Sequence, residues 1–345
     1  DGNWAEADEY CEKVLDLDPE CAEAYLGKLM AELQVKNQKE LAECFTPFED
    51  NANYAKVMRF GNSKLTAMLT ECVATQPQKI AYQEALNAMS LAAKSGQKSK
   101  MYRDAGLAFS EIGDFKDAQA LAQNCFEKAQ AFDRYKIEQL KNPAVGDIVY
   151  FGKYEQDNDA SNGAEDIEWI VLTKKEDSYL VISKYALDCK QYNETNESVT
   201  WQTSSLRNWL NNDFLNKAFT KEEINQIPTV RVTADENPCL STNPGVATSD
   251  KIFLLSIKEA EQFFATDKER ICIPTAYAKA RGAATYSILQ YIFSSDKYPC
   301  WGWWLRSPGW DQAHAAYVNY DGGVFKFGNC VNYDNVSVRP ALWIK

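Results

Sequence analysis

The hydrophobic period of this chain changes once, around Asn142-Pro143. Before that point Ala, Leu, Lys, Glu and Gln recur at helical spacing with almost no alternation. After it, short β-branched and aromatic runs appear: Ile148-Val149-Tyr150-Phe151, Trp169-Ile170-Val171-Leu172 and Tyr179-Leu180-Val181-Ile182, separated by Gly, Asp, Asn and Ser clusters. A helical stripe and a pleated strand bury their apolar residues in different layers. The sequence therefore reads as two parts, an all-α region over 1–140 and an α+β domain over 145–345. A chain of 345 residues is long enough for two cores.

In the first part, Tyr102, Ala105, Gly106, Phe109, Ala118, Ala122 and Cys125 fall at separations resembling the 34-residue tetratricopeptide pattern, with Gly113-Asp114 at the turn between helices. Small residues are needed where paired helices approach closely, and aromatic rings fill the gaps beside them. Ala7, Cys11, Val14 and Pro19 read as the second helix of another copy, and 22–34 as the first helix of the next. Asp18-Pro19 is a helix stop, because proline cannot continue the backbone ladder. The stretch 36–97 is helical but degenerate. Such repeats stack into a solenoid, which makes a second partner on this arm one expectation and a plain spacer the other.

In the second part, Leu206, Trp209, Leu210, Phe214, Leu215 and Ala218 predict a helix over 203–219, capped by Ser204 or Ser205. Shorter helices are expected over 258–264 and 274–284. From Trp301 onward the chain is Gly-punctuated and aromatic, as short strands and loops require, and the last strand is expected to include 341–344.

Charge and cysteine usage exclude several classes. Lys and Arg number 37 against 49 Asp and Glu, for a net charge of −12, and no dense basic run is present. Nucleic acid and anionic membrane are therefore poor partners. No uninterrupted apolar stretch is long enough to span a bilayer, and the first residues carry no secretion signal. Ten scattered cysteines with no Cys-x-x-Cys pair, beside one histidine, argue against zinc and against a dense disulfide framework. Most are expected to be small buried residues, and a reducing cytoplasm is the expected setting. No metal or other cofactor is expected.

The run Gly302-Trp303-Trp304-Leu305-Arg306-Ser307-Pro308-Gly309, then Ala315-Ala316-Tyr317-Val318, and finally Val338-Arg339-Pro340-Ala341-Leu342-Trp343-Ile344 resembles a widespread bacterial family of C-type-lectin-like domains. Gly146-Asp147-Ile148-Val149-Tyr150-Phe151-Gly152, Glu168-Trp169-Ile170-Val171-Leu172 and Ser205-Leu206-Arg207-Asn208-Trp209-Leu210 extend the likeness back to about residue 145. Ser337 stands where that family has glycine. The resemblance implies a C-type-lectin-like (formylglycine-generating-enzyme-like) fold. It is close to the variable proteins of diversity-generating retroelements, whose final segment is rewritten by adenine-directed mutagenesis on a fixed scaffold. That likeness implies a diversified segment at about 310–337, in which Trp310, Gln312 and Lys326 would be fixed template positions.

The chemistry of the tail fits recognition. Eleven of the residues from Tyr298 to Lys345 are aromatic, nearly twice the chain-wide 12%. Tyr, Asn and Asp together make an adaptable contact surface. The sequence Val-Asn-Tyr-Asp occurs at 318–321 and at 331–334, with the valines expected in the core and the polar residues at the rim. The candidate ligand-binding residues are Trp310, His314, Tyr317, Asn319, Tyr320, Asp321, Phe325, Phe327, Asn329, Asn332, Tyr333, Asp334 and Asn335. His314 reads as an exposed loop residue that touches ligand. Trp303, Trp304 and Trp343 read as core, and Arg306 and Arg339 as structural cations holding loop carbonyls or a buried acid. The expected action is binding of a protein or peptide without catalysis. The alternatives are a scaffold acting through its helical repeats and a cysteine-dependent oxidase using Cys300 and Cys330.

Overall fold

A computed structural model describes residues 3–94, 98–283 and 302–345. Cys300, and the end of the helix expected over 274–284, lie outside the described residues. The chain divides into two compact units, Asp1–Asp133 and Arg134–Lys345. The division falls inside a helix, because the last turns of that helix belong to the second unit: Lys136 pairs with Asp166 at 2.7 Å, and the Tyr179 hydroxyl donates to the Leu140 carbonyl at 3.1 Å.

The first unit is helical throughout its described secondary structure: α1 (Trp4–Leu17), α2 (Ala22–Glu32), α3 (Gln38–Ala42), α4 (Ala52–Phe60), α5 (Ser63–Lys94), α6 (Lys98–Ile112) and α7 (Ala118–Lys141), the last running on into the second unit. Asn3, Asn37 and Asn51 cap α1, α3 and α4 with their side-chain oxygens, and α1 stops at Leu17, just before Asp18-Pro19. The degenerate middle resolves into α3, α4 and the long α5, which carries Pro77 within it. Two successive cores form, one around Leu26, Leu29, Val57 and Leu69, the other around Ala105, Phe109, Ala118, Ala122 and Cys125. The expected close approach is present at Gly106: a Cβ there would meet the Phe126 ring at 2.7 Å. Among the described residues no helix is long and apolar enough to cross a membrane.

The second unit is β-rich. Its first strands, β1 (Ile148–Tyr154), β2 (Glu165–Lys175) and β3 (Ser178–Ser183), contain the three apolar runs seen in the sequence, followed by the short β4 (Asp188–Cys189). The expected helix over 203–219 is broken into three pieces: α8 (Ser205–Trp209), a π turn (Leu210–Phe214) and α9 (Leu215–Ala218). Ser204 is the cap, accepting the Arg207 amide at 3.2 Å. Then come α10 (Lys221–Gln226), β5 (Val230–Val232), β6 (Thr248–Asp250), β7 (Ile252–Phe253), α11 (Ile257–Phe263), α12 (Asp267–Arg270) and α13 (Ala276–Ala280). The tail supplies β8 (Trp303–Pro308), β9 (His314–Val318), β10 (Val324–Cys330), β11 (Ser337–Val338) and β12 (Ala341–Ile344).

Two five-stranded sheets carry this unit, in the orders β1-β2-β3-β12-β7 and β10-β9-β8-β11-β4, beside the hairpin-like pair β5-β6. The first sheet is antiparallel throughout; in the second only β11 and β8 run parallel. One core joins the sheets to α8, α9 and α11, and Trp169, Trp303 and Trp304 are among its largest side chains. Each of these indoles is satisfied: Trp169 donates to the Phe151 carbonyl, Trp303 to that of Arg270 and Trp304 to that of Lys190.

Arg306 and Arg339 are structural, as their motif positions suggested. Arg306, with 2% of its side chain exposed, pairs with Glu259 and Asp235 and donates to the Leu254 and Thr233 carbonyls. Arg339 donates to the Ser183 carbonyl at 2.9 Å and lies over the Trp303 ring. The cysteines depart from expectation. The nine described ones are free thiols, but only Cys72, Cys125 and Cys189 are buried, and Cys239 is exposed. The other five, Cys11, Cys21, Cys44, Cys272 and Cys330, are half-buried.

Candidate functional site

Strands β8, β9 and β10 form a meander whose burial changes across its width. Every residue of β8 is buried, four of the five in β9 are buried, and none of the seven in β10 is. Because β10 is an edge strand, its Phe325 and Phe327 meet solvent while Ala315, Ala316 and Val318 of β9 fill the core. Gly328, with φ of +77°, allows the bulge that ends this alternation, and a Cβ there would lie 2.5 Å from the Ala315 carbonyl oxygen.

Four large apolar side chains of the segment are exposed: Trp310 at 61%, Phe327 at 57%, Phe325 at 42% and Tyr333 at 36%. Trp310, Phe325 and Phe327 are neighbours in the fold. The Trp310 amide donates to the Phe327 carbonyl at 2.8 Å, and the Phe325 and Phe327 rings lie 6.2 Å apart. The Tyr333 amide donates to the Cys330 carbonyl, in the turn directly after β10. Asn319, Tyr320 and Asp321 form the β9–β10 turn, where Asp321 accepts the Gly323 amide at 2.9 Å. Asn329 accepts the Cys330 amide with its side chain, the Asn332 carbonyl receives Gln191, and Asp334 is exposed beside the half-buried Asn335. Val318 and Val331 are wholly buried, so the two Val-Asn-Tyr-Asp copies separate core from rim as their pattern predicted.

Two of the candidates need correction. Tyr317 does not face outward: it is buried, edge-on to Trp304 at 6.4 Å and 5.3 Å from Phe325, because it follows β9 into the core and supports the exposed rings from beneath. His314 is not an exposed loop residue. It opens β9 with 22% of its side chain exposed, and it contacts two residues outside the sequence-derived set. Its Nδ1 lies 2.6 Å from Asp311 Oδ1, and its Nε2 lies 3.5 Å from Cys330 Sγ. The Asp-x-x-His spacing was visible in the sequence, whereas Cys330 is brought in by the β9–β10 register, in which it pairs with His314.

The ring nitrogen of His314 has two claimants, since the Trp310 indole N–H also points at Nδ1 from 2.8 Å. One nitrogen cannot both accept from the indole and donate to the carboxylate. Burial raises the Asp311 carboxyl, but hydrogen bonds from His314 and the Ala313 amide, with the charge of His314, outweigh it and leave the pKa lowered. An ionised Asp311 at 2.6 Å requires the proton on Nδ1, and the exposed Trp310 indole can turn to water.

A polar recess of about 410 Å³ borders Asp334 and is lined by Lys190, Glu194, Trp209, Asp213 and Arg281. Lys190 lies 5.0 Å over the Trp209 ring. Sequence reasoning placed Trp209 only in a helix core and so missed this recess. Elsewhere, carboxylate oxygens of Glu155, Asp157 and Glu165 come within 4.8 Å of one another. There Glu165 accepts the Gln156 and Asp157 amides and braces its loop.

Residues 176–345 match a protein family described as "Domain of unknown function (DUF6273)". The match begins between β2 and β3, so it takes in the second sheet and leaves out β1 and β2. No curated protein and no solved structure matches the chain.

Proposed function

We propose that the second unit is a recognition module of C-type-lectin-like fold, which grips a protein or peptide with the surface built by β10 and its flanking turns. The helices of the first unit are, in this reading, tetratricopeptide-like repeats that carry it. One observation carries the proposal: Phe325 and Phe327 stand exposed side by side on edge strand β10, with exposed Trp310 bonded to the same strand's backbone, on a meander whose inner strands are buried. Leaving such rings in water has no benefit to folding, and aromatic side chains give the largest contact area for the rotamer freedom lost. Asp321, Asn329 and Asp334 at the rim add hydrogen-bonding capacity suited to a polar backbone. The buried β8, which precedes the segment, is a support that can stay fixed while exposed residues change, as a diversified segment at 310–337 requires.

The test is selection of binders from a random peptide display library on the full chain. Enriched peptides are expected to lose binding when Trp310→Ala or Phe327→Ala is introduced. Peptides that bind both variants as well as the parent would place recognition elsewhere, and partners of the helical unit would behave that way.

A further inference from the structure

Cys330, His314 and Asp311 lie in line at the edge of the aromatic surface: Sγ is 3.5 Å from Nε2, and Nδ1 is 2.6 Å from Oδ1. All three are fixed by backbone. Cys330 and His314 are cross-strand partners, the His314 amide donates to the Asp311 carbonyl at 3.2 Å, and the Ala313 amide holds Asp311 Oδ1 at 2.8 Å. We infer that Cys330 is an imidazole-activated thiol, with Asp311 positioning the ring, and that it forms a mixed disulfide with an incoming disulfide whose substituent packs on Trp310 and Phe327.

The thiol can transfer its proton to Nε2 because Asp311 holds the other ring nitrogen as a donor and offsets the imidazolium charge. Among the described residues, no other cysteine has this arrangement. Burial pushes the Cys189 thiol up to about 12, which leaves it inert, and Cys239 is exposed. Acyl chemistry is disfavoured by the local backbone. The Cys330 amide is taken by Asn329 Oδ1 at 2.9 Å and the Val331 amide by the Ala313 carbonyl at 2.9 Å, so neither is free to steady an oxyanion. Attack on a disulfide develops its charge along three sulfurs and needs no such donor. In the step, the Cys330 thiolate forms a bond to one sulfur of R–S–S–R, the original S–S bond breaks, and the departing thiolate takes the proton from Nε2 and leaves as R–SH. No further oxidant enters. The exposed indole of Trp310, edge-on to the His314 ring at 5.6 Å, favours an apolar or aromatic substituent.

The charged groups on the segments around the pair are few. Among the described residues they are Asp311 in its own turn, Glu194 and Glu197 on the segment bonded to Gln312 and Val331, Glu236 beside the 237–243 segment bonded to Trp310 and Gln312, Asp334 in the turn after β10, and Lys326 of β10, which is paired with Glu261. The experiment treats the full-length chain with dipyridyl disulfide, follows thiopyridone release across pH, and locates the modified cysteine by peptide mass. Cys330 is expected to react about tenfold faster than the exposed Cys239 near about pH 6, and Cys330→Ser to remove that fast phase. His314→Gln should abolish the advantage and make the rate fall with pH as for an ordinary thiol. Asp311→Asn, which leaves the ring in place, should shift the profile upward part of the way, a change that a purely structural role would not produce. Equal rates at Cys330 and Cys239, or an unchanged profile in Asp311→Asn, would overturn the inference. A surface that captures peptides while Cys330 is inert would leave the recognition reading standing alone.

Discussion

The two five-stranded sheets of the second unit end in different kinds of edge. In the first, edge strand β1 is mostly buried: Phe151 packs on Phe219 with ring centres 5.4 Å apart, and the Gly152 amide donates to Glu223 of α10 at 3.1 Å. In the second, edge strand β10 keeps Phe325 and Phe327 in solvent, although its backbone is held by Asn237 and by Trp310. An unprotected edge invites pairing with other chains, and helices cover β1 against it. At β10 the backbone is restrained and the side chains are left free. The difference teaches that scaffold and contact surface meet across one strand, with β9 between them.

The sharpest way to break this comparison is to truncate the scaffold side. Trp304→Ala removes a wholly buried ring and its hydrogen bond to Lys190, and is expected to lower stability by about 3–5 kcal/mol in denaturant unfolding. Next comes Arg306→Met, which strands Glu259 and Asp235 without their cation; both acids are partly exposed, so a loss nearer about 3 kcal/mol is expected. If either variant unfolds at the midpoint of the parent, β8 is not the support described.

The contact side should respond in the opposite way. Phe327→Ala is expected to leave unfolding within about 0.5 kcal/mol of the parent. The same change should weaken a selected peptide by about 2 kcal/mol, roughly thirtyfold in Kd. Calorimetry reads the second quantity and a denaturant curve the first. A loss of stability matching the loss of affinity would mean that Phe327 belongs to the core.

Much of this division was legible beforehand. The three apolar runs gave β1 to β3, and Ser204, one of the two expected caps, opens α8, although the single helix expected over 203–219 is broken after Trp209. What could not be read follows from distance along the chain. β4 and β11 are two residues each and exist through long-range pairing, Cys189 with Ser337 and Ser337 with Trp303 of β8. The thiol of Cys330 reaches His314 only through hairpin register, and the bulge at Gly328 sets that register. Tyr317 misled because it shares both residue type and, by register, sheet face with exposed Phe325, yet it sits on the inner strand, where Trp304 and Phe325 flank and cover it. The run Ile252-Phe253-Leu254-Leu255 was a readable strand signal; it gives β7, which closes the first sheet against β12.

The smallest effect lies in the first sheet, where Tyr179 of β3 is buried and donates to the Leu140 carbonyl at 3.1 Å. Tyr179→Phe keeps the ring and loses that bond, for about 1 kcal/mol at neutral pH. Burial raises the phenol to about 12 from an ordinary value near 10. The folded state therefore holds this proton more tightly than the unfolded chain. Its stabilising contribution is complete below about pH 10 and is lost as pH rises through about 12. The difference in stability between parent and Tyr179→Phe should accordingly narrow and then reverse across that window, because phenylalanine has no proton to lose and the raised phenol forfeits about 2.7 kcal/mol. Unfolding curves for both proteins from neutral pH upward measure it, with phenolate absorbance marking the titration. A constant gap would mean that Tyr179 titrates as a solvated phenol, and that the inner strands of the first sheet are as open to water as β10.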